Sequence, residues 1–312
     1  MSQYYIGVDG GGTHTTVLAT DSKGKRICLE EGDSLHYHTV GYETARGNLF
    51  DILDRIFRKI PISQVAFLYI GMSAIEFEAS QEEIERFLGG KRFPFPVWMH
   101  TDAYTALLGH TLGNPGAILI SGTGSIAYGL NEQGKTRVFG GWGPLLGDEG
   151  SAYDLGRRGI GCALRFADGI EGETLLLGEM MSYFHLTDPR EISEKNLTRK
   201  QIAGFAVKTA QCALQGDPIA IKIVDNAVAC LADLGKAAVD FSGGKELGIY
   251  GGMLQNDGIV RRRFLKAAEQ KGIVVTCLRL PPQAGAVLAG MKKQGIPIND
   301  TFIRTITEEA KC

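Results

Sequence analysis

The stretch Tyr5–Glu31, YIGVDGGGTHTTVLATDSKGKRICLEE, decides the fold, because Ala117–Gly141, AILISGTGSIAYGLNEQGKTRVFGG, repeats its order of elements. Each runs from an apolar strand ending on a small or acidic residue, through a Gly/Thr hairpin, to a second strand, a Gly-Lys turn and a third strand. Two Gly-Lys turns alone would mean little. The shared order over the whole stretch marks a duplicated unit, and a repeat of this kind ranks above local signals in reading a fold.

Working outward, residues 42–60 place Leu49, Ile52, Leu53, Ile56, Phe57 and Ile60 at the three-four spacing of an amphipathic helix. QVAFLYIGM (64–72) and FPVWMHTD (95–102) read as strands, and SQEEIERFLGG (80–90) as a short helix with an acidic first turn and a glycine stop. A helix then starts at Asp102, so the first copy reads β-β-β-α-β-α-β-α. After the second copy come helices over 148–166, 173–184, 198–214 and 218–241, then strand, helix, strand and a last helix over 282–295. Strands alternating with helices predict largely parallel sheets with covered faces. The expectation is an α/β protein of two domains, 1–112 and 113–312, facing a central cleft, with extra helices in the second. For the tail, 296–312, packing back on the N-terminal domain and mobility both stay open.

Composition narrows the function classes. A chain of 312 residues makes about two domains. Its net charge of -2 lacks the basic footprint of a nucleic-acid binder. The six cysteines are dispersed without a CxxC pair, which predicts reduced thiols and a cytoplasmic address. MSQYYIGVDG lacks the basic and apolar regions of a signal peptide, and no apolar run reaches the roughly 18 residues of a membrane span, so no membrane partner is expected. Glycine, at 42 residues, is the outlier and implies that backbone approaches something closely at many positions.

The two hairpins are where that matters. DGGGT (Asp9–Thr13) and SGTGS (Ser121–Ser125) have little side-chain bulk, so backbone N–H groups and hydroxyls can reach an anion. Phosphate suits a matched pair; plain tight turns are the other reading. Neither is a Walker loop or a GxGxxG turn. Asp9 ends an apolar strand at the first hairpin. A carboxylate there repels phosphate unless a cation intervenes, and Mg²⁺, which takes one or two carboxylates and keeps waters, fits. Asp102 reads either as a helix N-cap or as a general base at a strand's C-terminal edge, where open α/β sheets bind ligands. Phosphoryl transfer asks little more than this: cradled phosphates, neutralised charge and an oriented hydroxyl.

IGVDGGGTHT, ILISGTGS and IYGGML resemble, in order, the motifs of the sugar kinase, actin and heat-shock chaperone ATPase superfamily. HTDAYTA, LISGTGSIAYG and above all GGWGPLLGDEGSAYDLGRRGI resemble the N-acetylglucosamine kinase branch of the BadF/BadG/BcrA/BcrD ATPase family, over roughly Tyr5 to Gly290. The resemblance implies two ribonuclease H-like (actin-like ATPase) domains, a homodimer, and ATP-dependent phosphorylation of the 6-hydroxyl of an amino sugar such as N-acetylglucosamine, glucosamine or N-acetylmuramic acid. It implies Asp102 as the base, Gly11, Gly12, Thr13, Thr123 and Gly124 on ATP phosphates, and Asp9 on Mg²⁺ through water. It places Gly141, Trp142, Asp148 and Ala152 at the sugar, and Gly252, Asn256 and Ala203 near adenosine. Within that signature, Asp148 reads as the start of a helix whose dipole keeps it ionised, and Trp142 as a wall for sugar stacking or a core residue. Gly156, Gly159 and Gly161 then fall on the helix body, where they cost stability relative to Ala unless another helix packs closely.

Two departures stand out. His36 occupies a loop where relatives carry Asn, which puts the sugar contact there in doubt. Ala74, Ile75 and Glu76, with Glu78 nearby, replace a Gly-rich turn by a more acidic rim, either solvated or facing an amino-sugar substituent. Some members of the family activate iron–sulfur dehydratases or reductases instead; the scattered cysteines give that reading no ligand pair.

Overall fold

The computed structural model describes residues 3–310. The chain forms two compact units, one made of the residues up to Asn114 together with those from Leu278 on, the other of Pro115–Cys277.

In the first unit five strands, β1 (Tyr4–Gly10), β2 (His14–Asp21), β3 (Arg26–Asp33), β4 (Val65–Met72) and β5 (Val97–His100), make one sheet in the order β3-β2-β1-β4-β5. The second unit repeats this with β6 (Gly116–Ser121), β7 (Ser125–Leu130), β8 (Thr136–Gly140), β9 (Glu246–Tyr250) and β10 (Val274–Cys277), in the order β10-β9-β6-β7-β8. Read from opposite edges the two orders coincide, so the duplication expected from the two hairpin stretches is a duplication of topology. The sheets are mixed rather than largely parallel. β1, β2 and β3 pair antiparallel, as do β6, β7 and β8, while β4, β5, β9 and β10 join in parallel. The reason is chain length: strands joined by a hairpin must run antiparallel, and only strands reached through a helical crossover can run parallel.

The helices follow the apolar spacing. Helix Tyr42–Phe57 buries Ala45, Leu49, Ile52, Leu53 and Ile56. Helix Gln81–Leu88 opens on a Ser80–Glu83 capping box and stops at Gly89 in the left-handed region. In the second unit the 25-residue helix Pro218–Ser242 packs on β6, β7 and β8. The single helix expected over 198–214 is two, Arg199–Gly204 and Ala206–Leu214, joined at the fully buried Phe205.

The domain boundary is the main correction. The division at 113–312 assigned the last helix to the second domain, whereas helix Pro282–Lys293 packs on β1, β4 and helix Asp102–Thr111 of the first unit. Backbone contact explains why. A Cβ at Gly285 would lie 1.9 Å from the Thr105 carbonyl oxygen, so the two helices touch main chain to main chain. Sequence adjacency cannot reveal such a partner. The tail helix Asp300–Ala310 also lies on this unit: Phe302 and Ile306 are buried, Phe302 meets the Tyr5 ring at 6.2 Å, and Arg26 pairs with Glu309 at 3.8 Å.

Gly285→Ala should therefore destabilise by at least about 2 kcal/mol in denaturant unfolding, because a fixed carbonyl must move. Gly161→Ala, in a helix with open space around it, should stabilise by roughly 0.5–1 kcal/mol. Equal effects of the two substitutions would refute this account of the packing.

Candidate active site

The first unit gathers its chemistry at one end of β1. The first hairpin is closed by the Gly11 N–H donating to the His14 carbonyl at 3.1 Å, which leaves Gly12 and Thr13 exposed. Asp9 pairs in register with Gly71 on β4. A Cβ at Gly71 would lie 2.5 Å from the Thr105 hydroxyl, and that hydroxyl donates to the Asp102 carbonyl at 2.8 Å. The missing side chain at Gly71 thus lets the helix that starts at Asp102 ride close over the strand that flanks Asp9. Asp102 is the first helical residue, not the cap; Thr101 holds that place, and its hydroxyl donates to the Asp102 carboxylate at 3.3 Å. This removes the capping reading and leaves the carboxylate for other work.

The electrostatics agree. Burial first, then the Asp102 charge, push the Asp9 pKa up to about 7. Burial also raises Asp102, partly offset by the Ala103 N–H, the Thr101 hydroxyl and the charge of His36. A buried carboxyl facing a second carboxylate is ionised more readily when a cation lies nearby. Among the described residues no group of three or more His, Cys, Asp and Glu could hold a metal. A lone buried carboxyl such as Asp9 is compatible with Mg²⁺, which takes one or two carboxylates and keeps several waters.

His36 belongs to this cluster. Its N–H donates to the Ser34 hydroxyl at 3.0 Å, and that hydroxyl donates to the Gly11 carbonyl at 3.0 Å. Its ring Nδ1 bonds the Thr39 hydroxyl at 2.9 Å at the head of a short helix, Tyr37–Val40, where the sequence suggested a loop. Glu76 is exposed, and Glu78 forms an ion pair with Lys293 at 2.5 Å, so the acidic rim is partly solvated and partly neutralised.

The second unit gathers its residues around the second hairpin. The Gly122 N–H donates to the Gly124 carbonyl at 2.9 Å, and Thr123 is exposed at the tip. The Ser125 hydroxyl, a candidate phosphate donor from sequence, instead donates to the Glu149 carbonyl at 2.8 Å. Ser121 likewise donates to the Gly150 carbonyl at 3.0 Å, and the Ala152 N–H donates to the Gly122 carbonyl at 2.8 Å. The 140–152 loop is thereby stitched to the hairpin. Gly141 joins it by donating to the Ser125 carbonyl at 3.1 Å. Gly251 lies against Ser121, where a Cβ would come 2.4 Å from its carbonyl oxygen. This brings Gly252 and, beside it, Asn256 to the same hairpin. Ala203 is buried at 8% exposure in helix Arg199–Gly204 and lines no open surface there.

Asp148 departs from its expected place. The helix starts at Ala152 and is capped by the Ser151 hydroxyl, which accepts from the Asp154 N–H. Asp148 precedes it with φ 61° and is 4% exposed. One carboxylate oxygen accepts the Ser125 N–H at 3.2 Å and the other the Arg199 guanidinium at 2.6 Å. Burial raises its pKa, against the lowering by Ser125 and Arg199. No helix dipole holds it ionised, as the sequence suggested; the guanidinium and the hairpin N–H do. Trp142 is 76% exposed, followed by Leu145 at 92% and Leu146 at 82%, which excludes a core role. Gly156 and Gly159 do meet another helix, with Cβ positions 1.9 Å from the Ile202 oxygen and 2.2 Å from the Thr209 hydroxyl, whereas Gly161 meets nothing within 4 Å.

With both hairpins and their carboxylates placed, the relatives can be set beside them. The family model described as the BadF/BadG/BcrA/BcrD ATPase family matches residues 6–290. The chain belongs to this family. Within it, the chain is 29% identical over 250 residues to an N-acetyl-D-glucosamine kinase of Dictyostelium discoideum, covering 74% of this chain and 78% of that one. It is 30% identical over 230 residues to a glucosamine kinase of Vibrio cholerae, covering 72% and 77%. A solved candidate N-acetylglucosamine kinase from Chromobacterium violaceum shares the fold of this family member, with a TM-score of 0.73 at 23% identity over 92% of this chain and 99% of that one.

Two residues escaped the sequence reading. Arg199 carries no motif and sits 51 positions from the Asp148 it binds. His100 lay inside the quoted HTDAYTA but received no role. It is buried, accepts the Thr101 N–H at 2.8 Å on Nδ1 and stacks on Tyr104 at 4.2 Å. Burial, with Lys293 adding and Glu78 opposing, lowers its pKa to about 4. Between about 4 and its unfolded value of 6.5 the unfolded chain binds the proton that the folded chain refuses. Stability therefore falls as pH drops through that window. His100→Asn should flatten this slope, shrinking the melting-temperature loss between pH 7 and pH 4.5. An unchanged slope would show that His100 does not titrate this way.

Proposed function

We propose that this protein is an ATP-dependent kinase that phosphorylates the 6-hydroxyl of an amino sugar, N-acetylglucosamine foremost, with glucosamine and N-acetylmuramic acid as members of the same class. The observation that carries this reading is the Asp9–Asp102 pair beside the first glycine hairpin, with burial raising both carboxyls. The kinases among the relatives support the substrate class. Asp102 takes the proton from the attacking hydroxyl; its raised pKa suits a base better than that of a solvated aspartate. His36, whose charge bears on Asp102, stands where a sugar hydroxyl would be gripped. Backbone N–H groups at Gly11, Gly12 and Gly124, with the hydroxyls of Thr13 and Thr123, hold phosphate oxygens. A bound Mg²⁺ would supply the neutralisation of phosphate charge, and Asp9 would hold it through water. Gly252 and Asn256 bear on adenosine; Ala203, which the resemblance also places there, is buried. Gly141 and Trp142 face the sugar and Ala152 lines the pocket; Asp148, which the resemblance also places at the sugar, has both oxygens engaged by Ser125 and Arg199 and holds the loop that carries them. A cytoplasmic homodimer completes the reading, and sedimentation checks the assembly.

Incubation with Mg-ATP and a panel of amino sugars should release ADP well above the water background, with the product phosphorylated at C6 by NMR. No stimulation by any sugar would end the kinase proposal. Asp102→Asn should cut turnover at least about a hundredfold, the low end for a positioned base, while ATP still binds. Trp142→Ala should raise the sugar KM roughly three- to tenfold with little change in kcat. In the wild type, saturating sugar should shift tryptophan emission to the blue. Unaltered emission and KM would take Trp142 out of the sugar site.

A further inference from the structure

Arg199 lies against the second hairpin, paired with Asp148. Its side chain is 46% exposed, and one Nη donates to the buried Asp148 carboxylate at 2.6 Å. The Tyr153 ring lies 6.0 Å beneath the guanidinium carbon. Among the described residues its remaining N–H groups have no acceptor.

Three features hold it there. Asp148 adopts a left-handed backbone at φ 61°, a conformation uncommon outside glycine that persists where the surroundings enforce it. That backbone turns its carboxylate inward so that one oxygen meets the Ser125 N–H while the other meets Arg199. Gly124 then makes room: a Cβ there would stand 2.9 Å from the Arg199 Nη2 and 3.0 and 3.1 Å from the two Asp148 oxygens. The guanidinium thus lies directly against the hairpin backbone, held from behind by a carboxylate, with its free donors on the open side.

We propose that Arg199 binds the phosphates of the nucleotide at the second hairpin, and that Asp148 is the positioning residue that aims it. The proposal rests on the reading of this hairpin as a phosphate site. A planar guanidinium with several donors suits phosphate oxygens, and a fixed carboxylate behind it lowers the entropy lost on binding. The two hairpins then differ in charge. The first presents a carboxylate that calls for a metal ion, and the second presents a cation of its own.

Calorimetric titration with ATP, ADP and adenosine, on the wild type and on Arg199→Ala and Arg199→Lys, tests this. Arg199→Ala should weaken ATP and ADP by about tenfold or more and leave adenosine unchanged, with Arg199→Lys in between. Asp148→Asn should weaken ATP too, yet add nothing on top of Arg199→Ala, as expected if it acts through Arg199. Wild-type ATP affinity in Arg199→Ala overturns the proposal. So does an equal loss for ATP and adenosine, which would mean a collapsed pocket, or a rise in sugar KM alone, which would move Arg199 to the sugar. If Arg199→Ala weakens ATP but no sugar is phosphorylated, the phosphate contact stands and the kinase reading fails; if the wild type binds no ATP, both fall.

Discussion

Everything at the first hairpin depends on elements brought close together where glycines let them cross. Helix Pro282–Lys293 touches the main chain of helix Asp102–Thr111 at Gly285, and that helix in turn rides over β4 at Gly71. Gly7 on β1 meets the same C-terminal helix, with a Cβ position 2.2 Å from the Gln283 oxygen. A methyl group at Gly71 would push the helix of Asp102 off the strand beside Asp9, and one at Gly285 or Gly7 would push helix Pro282–Lys293 off that helix or off β1. Asp9 feels the charge of Asp102 where the chain has been thinned to glycine and its elements cross. Helix Pro282–Lys293, from near the end of the chain, thus packs on its first strand.

One duplicated scaffold carries two different electrostatic solutions. In both units the first two strands meet at a glycine turn, and residues from later in the chain converge on it. At the first turn these are a carboxylate, a histidine and a second carboxylate, all partly withdrawn from water. At the second they are a buried aspartate in a strained backbone and the arginine it holds. Topology was copied; charge was not.

The sequence made much of the fold legible. The repeated order of strands around two Gly turns, and the three-four spacing in the helix at Tyr42–Phe57, are local patterns, and the structure keeps them. The two glycine hairpins and the apolar strand that carries Asp9 were also readable, since turn chemistry and strand burial are local signals; Asp102 opens a helix two residues past the end of β5. Legibility stopped where the deciding partner lies far along the chain. The last helix was assigned by adjacency to the wrong unit, and Asp148 was given to a helix that begins at Ala152. Ser125 was offered to phosphate while its hydroxyl serves Glu149.

The amino-acid sequence by itself determined which elements form, that they form twice, and which residue types stand at the strand ends, because hydrophobic period, turn chemistry and hairpin length act over a few residues. Tertiary structure alone decided which carboxylates share a site, which unit the chain's end completes and where Arg199 points. Those outcomes depend on close packing between distant backbones and on how far burial strips charges of water, and neither is a property of any short stretch of sequence.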